Sequence, residues 1–303
     1  MKPYLLRRVA ELLESSGFLV SDCQGSRSCF DFLARKGRVL LVVKVLNNIE
    51  GLNGNTVHEL KKVSSLVGGA PIVVGARLKS SKLIDGVLYE RYGINALNLS
   101  TMEDFVSDFM PVVHSVRGNY CSKIDSGLLR RLRSRLDLTQ EELAKELGVS
   151  KQSVYRYEST GRVVFDVMEK MMKIFADERL LLHENLLSLN FPEEDSYFSM
   201  HVPGMRKIVA DRLERIGFST SITNAPFDVV AREHETVYTV VSDDNRRLEH
   251  KISLVGEITG MVGGYGMCVT NRHVSSRRGV AVLKPEELDG FESPKDLIER
   301  ILD

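Results

Sequence analysis

The sequence predicts a mixed α/β plus all-α protein, two α/β domains of one pattern on either side of a central domain of five helices. Three observations carry this expectation. A chain of 303 residues exceeds what one hydrophobic core usually organises, which favours two or three domains. Residues 3 to 109 mix helical with strand-like periodicity, whereas the stretch from 124 to 189 is helical throughout. From residue 205 onward the landmarks of the first segment return in the same order.

The first helix is read from Leu5, Leu6, Val9, Ala10, Leu12 and Leu13, an apolar stripe closed by Gly17 at a C-cap position. Strand-like stretches follow at 18 to 21, 29 to 34 and 39 to 46, then a helix from Val57 to Val67 closed by Gly68-Gly69. The strand PIVVGA at 71 to 76, a further strand in GINALNL and a short helix in TMEDFVSDF complete a domain at 1 to 110. Periodicity fades from Pro111 to Lys123. The helical domain is placed at 120 to 189, and the prolines, glycine and acidic residues of 190 to 204 mark a linker.

The second α/β domain, 205 to 303, returns Val9, Ala10 and Leu13 as Val209, Ala210 and Leu213, and Gly17-Phe18 as Gly217-Phe218. Phe30-Asp31 recurs as Phe227-Asp228, Ala34-Arg35 as Ala231-Arg232, and Val42-Val43 as Val240-Val241. Val67-Gly68-Gly69 recurs as Val262-Gly263-Gly264. Gly93-Ile94, Leu97 and Phe105 recur as Gly279-Val280, Leu283 and Phe291. Collinear matches at cap, strand and core positions point to an internal duplication.

The central segment LLRRLRSRLDLTQEELAKELGVSKQSVYRYESTGR meets the demands of a helix-turn-helix between 124 and 161. Leu129, Leu132 and Leu136 give the first helix an apolar face. Thr139 with Glu142 three residues on forms a capping box. Leu143 and Leu147 face the core, Ala144 allows a close helix crossing, and Gly148 supplies a left-handed turn. Val149 plugs the corner, Ser150 caps the third helix, and Val154 and Tyr157 anchor its inner side. Lys151, Gln152, Ser153, Tyr155 and Arg156 remain on its outer side, with donors and acceptors suited to base edges and phosphates.

TQEELAKELGVSKQSVYRYE resembles the Cro/repressor, or XRE, class of DNA-binding proteins. That resemblance implies that Gln140 contacts the phosphate backbone, that Lys151, Gln152 and Arg156 read the major groove, and that Arg133 pairs with Glu158. It also implies double-stranded DNA as partner and a homodimer on a palindromic operator. Nine Lys and Arg stand against six Asp and Glu from Lys123 to Arg162, a local surplus of three positive charges in a chain balanced at 41 and 41. Met168, Met171, Met172 and Phe175 offer apolar surface for a dimer, or for the core of the helical domain itself.

The order helix, three strands, helix, strand, with Asp31 on the second strand and Lys44 on the third, resembles the PD-(D/E)xK endonuclease fold. In that family the Asp and a Glu two residues before the Lys hold a divalent metal. Here Val42 stands in the Glu position. In the second copy the sequence alignment keeps Asp228 and puts Val240 and Ser242 at the Glu and Lys positions. Without paired oxygen ligands no metal, catalytic residue or cofactor is expected, although Glu59 on the following helix is a substitute carboxylate to be tested. The whole arrangement resembles a family of archaeal transcriptional regulators.

Composition limits the alternatives. The longest apolar run, VLLVVKVL at 39 to 46, is too short to span a bilayer, and the N-terminal stretch reads as an amphipathic helix rather than a signal peptide. Four cysteines without paired spacing fit reduced thiols in the cytoplasm. No P-loop or dinucleotide glycine pattern occurs, and no effector can be named. The expected function is a sequence-specific transcriptional regulator. A metal-dependent nuclease targeted by the helix-turn-helix and a coactivator that contacts the transcription machinery are the alternatives.

Overall fold

The computed structural model describes all residues except 1, 26–27, 117, 184–185, 188–203, 243–244 and 273–278. The linker expected at 190 to 204 therefore lies, except for Gly204, outside the described residues.

Along the chain come α1 (Lys2–Ser15), β1 (Leu19–Asp22), β2 (Phe32–Lys36), β3 (Val39–Asn48), α2 (Gly54–Val67), β4 (Ala70–Leu78), β5 (Ser81–Lys82), β6 (Val87–Arg91), β7 (Ile94–Leu97) and α3 (Leu99–Val106). The middle of the chain forms β8 (Val113–Val116), β9 (Asn119–Lys123), α4 (Ser126–Arg135), α5 (Gln140–Leu147), α6 (Lys151–Thr160), β10 (Arg162–Val164) and α7 (Phe165–Phe175). The rest forms α8 (Met205–Ile216), β11 (Ser219–Ile222), β12 (Val229–Arg232), β13 (Thr236–Val241), α9 (Asn245–Val262), β14 (Tyr265–Val269), β15 (Val280–Leu283) and α10 (Pro294–Leu302).

Two compact units result, one of residues 1–45, 52–72 and 187–303, the other of 46–51 and 73–186. In the first unit β1 and β2, then β2 and β3, pair antiparallel. The third strand is buried almost continuously because VLLVVKVL leaves no polar face, the pattern of a strand covered on both sides. Asn53 accepts the Thr56 N–H and starts α2 at Gly54, before the expected Val57, and Gly68 at φ 69° ends it, as the Gly68-Gly69 signal implied. The same unit holds β11-β12-β13-β14-β15, with β13, β14 and β15 parallel. Its core is filled by Val209, Leu213, Phe218, Met267, Leu283 and Leu297 among others.

Strand order in the first α/β half reads β1-β2-β3-β4-β7, and in the second β11-β12-β13-β14-β15. Hydrogen bonds match as well. Asp31 donates its N–H to the Val43 carbonyl and Asp228 to that of Thr239, at 2.8 and 2.7 Å. Phe32 is paired with Val43 and Val229 with Thr239. This register corrects the sequence alignment of the third strand by two residues: Tyr238, not Val240, stands opposite Val42, and Val240, not Ser242, opposite Lys44. Valine pairs invite that slip because either pair suits a buried strand.

In the second unit the order runs β4-β7-β6-β8-β9-β10. β8 and β9 make an antiparallel hairpin where periodicity had faded, and β10 adds to its outer strand. The helical domain departs from the expected five helices. Among the described residues it has four, α4 to α7, followed by a 3₁₀ turn at Glu178–Leu180. The helical run to residue 189 ends at Ala176, which takes a left-handed conformation. Among the described residues no helix is long and apolar enough to cross a membrane.

Candidate nucleic-acid interface

Three short helices build the interface, and each is bounded by a side-chain signal. Asp125 accepts the Leu128 N–H to begin α4. Thr139 and Glu142 cap α5 reciprocally, and those bonds from Thr139 hold the Glu142 carboxyl below its ordinary range. Gly148 at φ 70° closes α5, and Ser150 accepts the Ser153 N–H to open α6. Leu129, Leu132, Leu143, Ala144, Leu147, Val154 and Tyr157 pack into one core with Val163, Met168 and Met171. Val149 packs against it as expected. Leu136 does not join the apolar face of α4, because the helix ends at Arg135 and leaves Leu136 49% exposed. Met168 and Met171 are buried in this core, and Met172 and Phe175, half-buried, pack on its edge, which fits the core reading of these residues.

Glu158 fixes the angle between α4, α5 and α6. Its carboxylate is buried and accepts Arg133 Nε at 2.6 Å and Gln140 Nε2 at 2.7 Å. Arg133 also donates to the Leu138 carbonyl at 2.8 Å. Arg130, which sequence reading passed over, donates to the Glu158 carbonyl at 2.5 Å and so neutralises an acceptor near the end of α6. Its position one turn before Arg133 on the same face was the available signal.

Lys151, Gln152, Tyr155 and Arg156 are exposed on α6, Tyr155 by 64%. Arg156 lies over the Tyr157 ring at 5.8 Å. Lys151 makes an exposed ion pair with Glu141 at 3.5 Å, a contact of at most ~1 kcal/mol that a phosphate can displace. Ser150 and Ser153 share a 2.9 Å hydroxyl contact at the start of α6, so both serve the cap. Gln140 is half-buried with its amide on Glu158, which orients it rather than leaving it free.

In both α/β halves the aspartate at the metal position of the endonuclease fold is engaged by backbone and cations. Asp31 accepts the Val45 N–H at 2.8 Å and pairs with Lys44 at 3.3 Å and Lys2 at 3.7 Å. Asp228 accepts the Val241 N–H at 2.9 Å and pairs with Arg206 at 2.5 Å and Lys251 at 3.2 Å. In the Glu position stand Val42, fully buried, and Tyr238, whose ring meets Phe227 edge-on at 5.0 Å. Glu59 is committed to Lys62 at 2.5 Å and to the Asn224 N–H at 2.9 Å. Among the described residues no group of three or more His, Cys, Asp or Glu could hold a metal ion. The side chains present do not fit the divalent ion of the endonuclease fold.

Comparison with known proteins agrees with both parts of this geometry. Residues 2–111 match the PD-(D/E)XK superfamily domain, and residues 126–176 a helix-turn-helix domain. A "Putative HTH-type transcriptional regulatory protein" of Archaeoglobus fulgidus is 32% identical over 298 residues, covering 97% of this chain and 96% of that protein. Relatives of the same description in Methanocella arvoryzae and Methanocaldococcus jannaschii are 32% and 29% identical. They cover 98% and 99% of this chain, and 95% and 96% of their own lengths. With identity of this level running from end to end, the chain belongs to the family of archaeal HTH-type transcriptional regulatory proteins.

Proposed function

We propose that the chain is a sequence-specific DNA-binding transcriptional regulator that acts in the cytoplasm, as a homodimer on a palindromic operator, without catalysis or cofactor. The observation that carries this reading is the outer face of α6. Lys151, Gln152, Tyr155 and Arg156 stand exposed on a helix whose inner face is locked by Val154, Tyr157 and Glu158. Such a helix presents a fixed set of donors to the major groove, and Gln and Arg there can each bind a base edge in bidentate fashion. Gln140, oriented by Glu158 at the start of α5, suits a phosphate contact, and Ser150 and Ser153 lie at the helix end that faces the backbone. A surplus of three positive charges positions one copy but does not hold it, which favours two copies on two half-sites.

The three domains of this reading are 1 to 110, 120 to 189 and 205 to 303, the outer two being copies of one inactive endonuclease-like fold. Matching strand orders and the matching bonds of Asp31 and Asp228 support the duplication. The superfamily match favours a second reading, phosphodiester cleavage, against which stands the missing acid beside Asp31. Incubation of a supercoiled plasmid with the protein and Mg²⁺ or Mn²⁺ separates the two, cleavage above background excluding the non-enzymatic reading.

The main test is affinity for a selected operator and for random DNA at one salt concentration. Gln152→Ala and Arg156→Ala should each lose ~1 to 3 kcal/mol of discrimination. Gln140→Ala should weaken both DNAs alike. Retention of full operator preference by both α6 variants would point instead to a coactivator that contacts proteins.

A further inference from the structure

Within the first compact unit, one set of contacts between the two α/β halves is reciprocal. Arg35 on β2 donates to the carbonyl of Met261 near the end of α9, and Arg232 on β12 donates to that of Leu66 near the end of α2, the latter at 2.7 Å. These are equivalent positions. Arg35 lies four residues after Asp31 and Arg232 four after Asp228, while Leu66 and Met261 each precede a Val-Gly-Gly. One turn earlier on the same helices, Lys62 of α2 donates to the Ile222 carbonyl of β11 at 2.8 Å. At the counterpart position of α9, Glu257 accepts the hydroxyl of Ser21 on β1, one residue before the equivalent of Ile222, at 3.4 Å.

Contacts in which the helix of each half meets the strands of the other are the signature of an isologous, two-fold interface. Two unrelated surfaces brought together by a tether have no reason to exchange equivalent residues. The Asn224 turn adds a further contact, its N–H to Glu59 and its carbonyl to the Cys29 N–H at 2.8 Å. Cys29 is buried there, and burial with Glu59 nearby pushes its thiol up to about 12.

We infer that the second α/β half occupies the place of a second chain: the halves form an intramolecular dimer, and the surface that would join two copies of the fold is saturated within one chain. The inference rests on the duplication proposed above. Its consequence is that this surface cannot be what joins two chains, so a second helix-turn-helix would be recruited through another one. Saturation within the chain also gives the second half a role that needs no catalytic residues, since it closes a surface otherwise open to self-association.

The test uses the full chain with a protease recognition sequence inserted between residues 190 and 203. Labelled (¹⁵N) and unlabelled chains are mixed, cut, and examined at once by size exclusion and native mass spectrometry. Fragments that stay together with one label per pair are expected, and Arg35→Ala with Arg232→Ala should weaken that pairing at least tenfold. Fragments that separate on cutting, or pairs of mixed label, overturn the inference. On the uncut chain, Ser21→Cys with Glu257→Cys should give a disulfide within the monomer on a denaturing gel, and a disulfide-linked dimer would equally overturn it. Failure of the duplication itself would appear differently, as halves that pair without exchange of equivalent contacts in a crystal structure.

Discussion

Glu158 shows how a single buried acid ties recognition to stability. A carboxylate at 4% exposure is tolerated only because Arg133 and Gln140 supply its hydrogen bonds. Sequence reading foresaw the Arg133 partner from the family resemblance, because that pair recurs at inward-turning positions. It did not foresee that Gln140 is drawn into the same network, since a glutamine at the start of an exposed helix carries no sign of its partner. Removing the acid leaves Arg133 partly buried and Gln140 unoriented. Glu158→Ala should therefore destabilise α4 to α6 by about 3 kcal/mol, the lower end for a broken buried pair because Arg133 keeps the Leu138 carbonyl. Glu158→Gln, which retains shape and the Gln140 bond, should cost about half as much. Amide hydrogen exchange of these helices reads both values, and unchanged protection in Glu158→Ala would mean the pair holds nothing together.

At the scale of elements, what could be read depended on where the signal resides. Caps and turns are local chemistry, so Thr139 with Glu142, Gly148 and Ser150 were legible, and all take the expected geometry. The hairpin of β8 and β9 was not legible. Its strands are four and five residues long, largely half-exposed, and show no alternation, so pairing with β6 and β10 rather than propensity makes them strands. The last expected helix is cut short for a related reason, since Ala176 takes a left-handed conformation and the described residues just after it form a 3₁₀ turn at Glu178–Leu180. Gly161 marks the junction between α6 and β10. At φ 65° it takes the left-handed region, and a Cβ there would come 2.6 Å from the Ile124 carbonyl oxygen. Gly148 is equally left-handed, but its nearest neighbour is the flexible end of Lys170 at 3.3 Å. Gly148→Ala should thus cost only the backbone term, ~1 kcal/mol, whereas Gly161→Ala adds displacement of a backbone group and should exceed ~2 kcal/mol. Equal thermal shifts for the two variants would rule out the close approach as the reason for Gly161.

For the whole molecule, the landmarks common to the two α/β halves were more legible in the sequence than the division into compact units. Gly17, Asp31 and the Val-Gly-Gly step mark caps and strand ends, which two copies of one backbone must share. By contrast, the compact units are set by which surfaces meet, and the first unit gathers parts of 1–72 with the entire second half. That grouping bears on how the protein engages DNA. One chain holds one helix-turn-helix and an α/β pair closed on itself, so two half-sites require two chains joined elsewhere. Two recognition helices held by a rigid dimer must enter successive major grooves on one face of the duplex, about 10 base pairs apart. Inserting about 5 base pairs between the half-sites turns the second groove to the far side, while about 10 restores its direction at a greater distance. Binding should then fall to the level of a single half-site with the short insertion, whereas a flexible dimer would tolerate both. If the short insertion leaves affinity unchanged and removal of one half-site leaves it unchanged as well, each chain binds alone through α6, and the homodimer of the proposed function is wrong even where its base contacts are right.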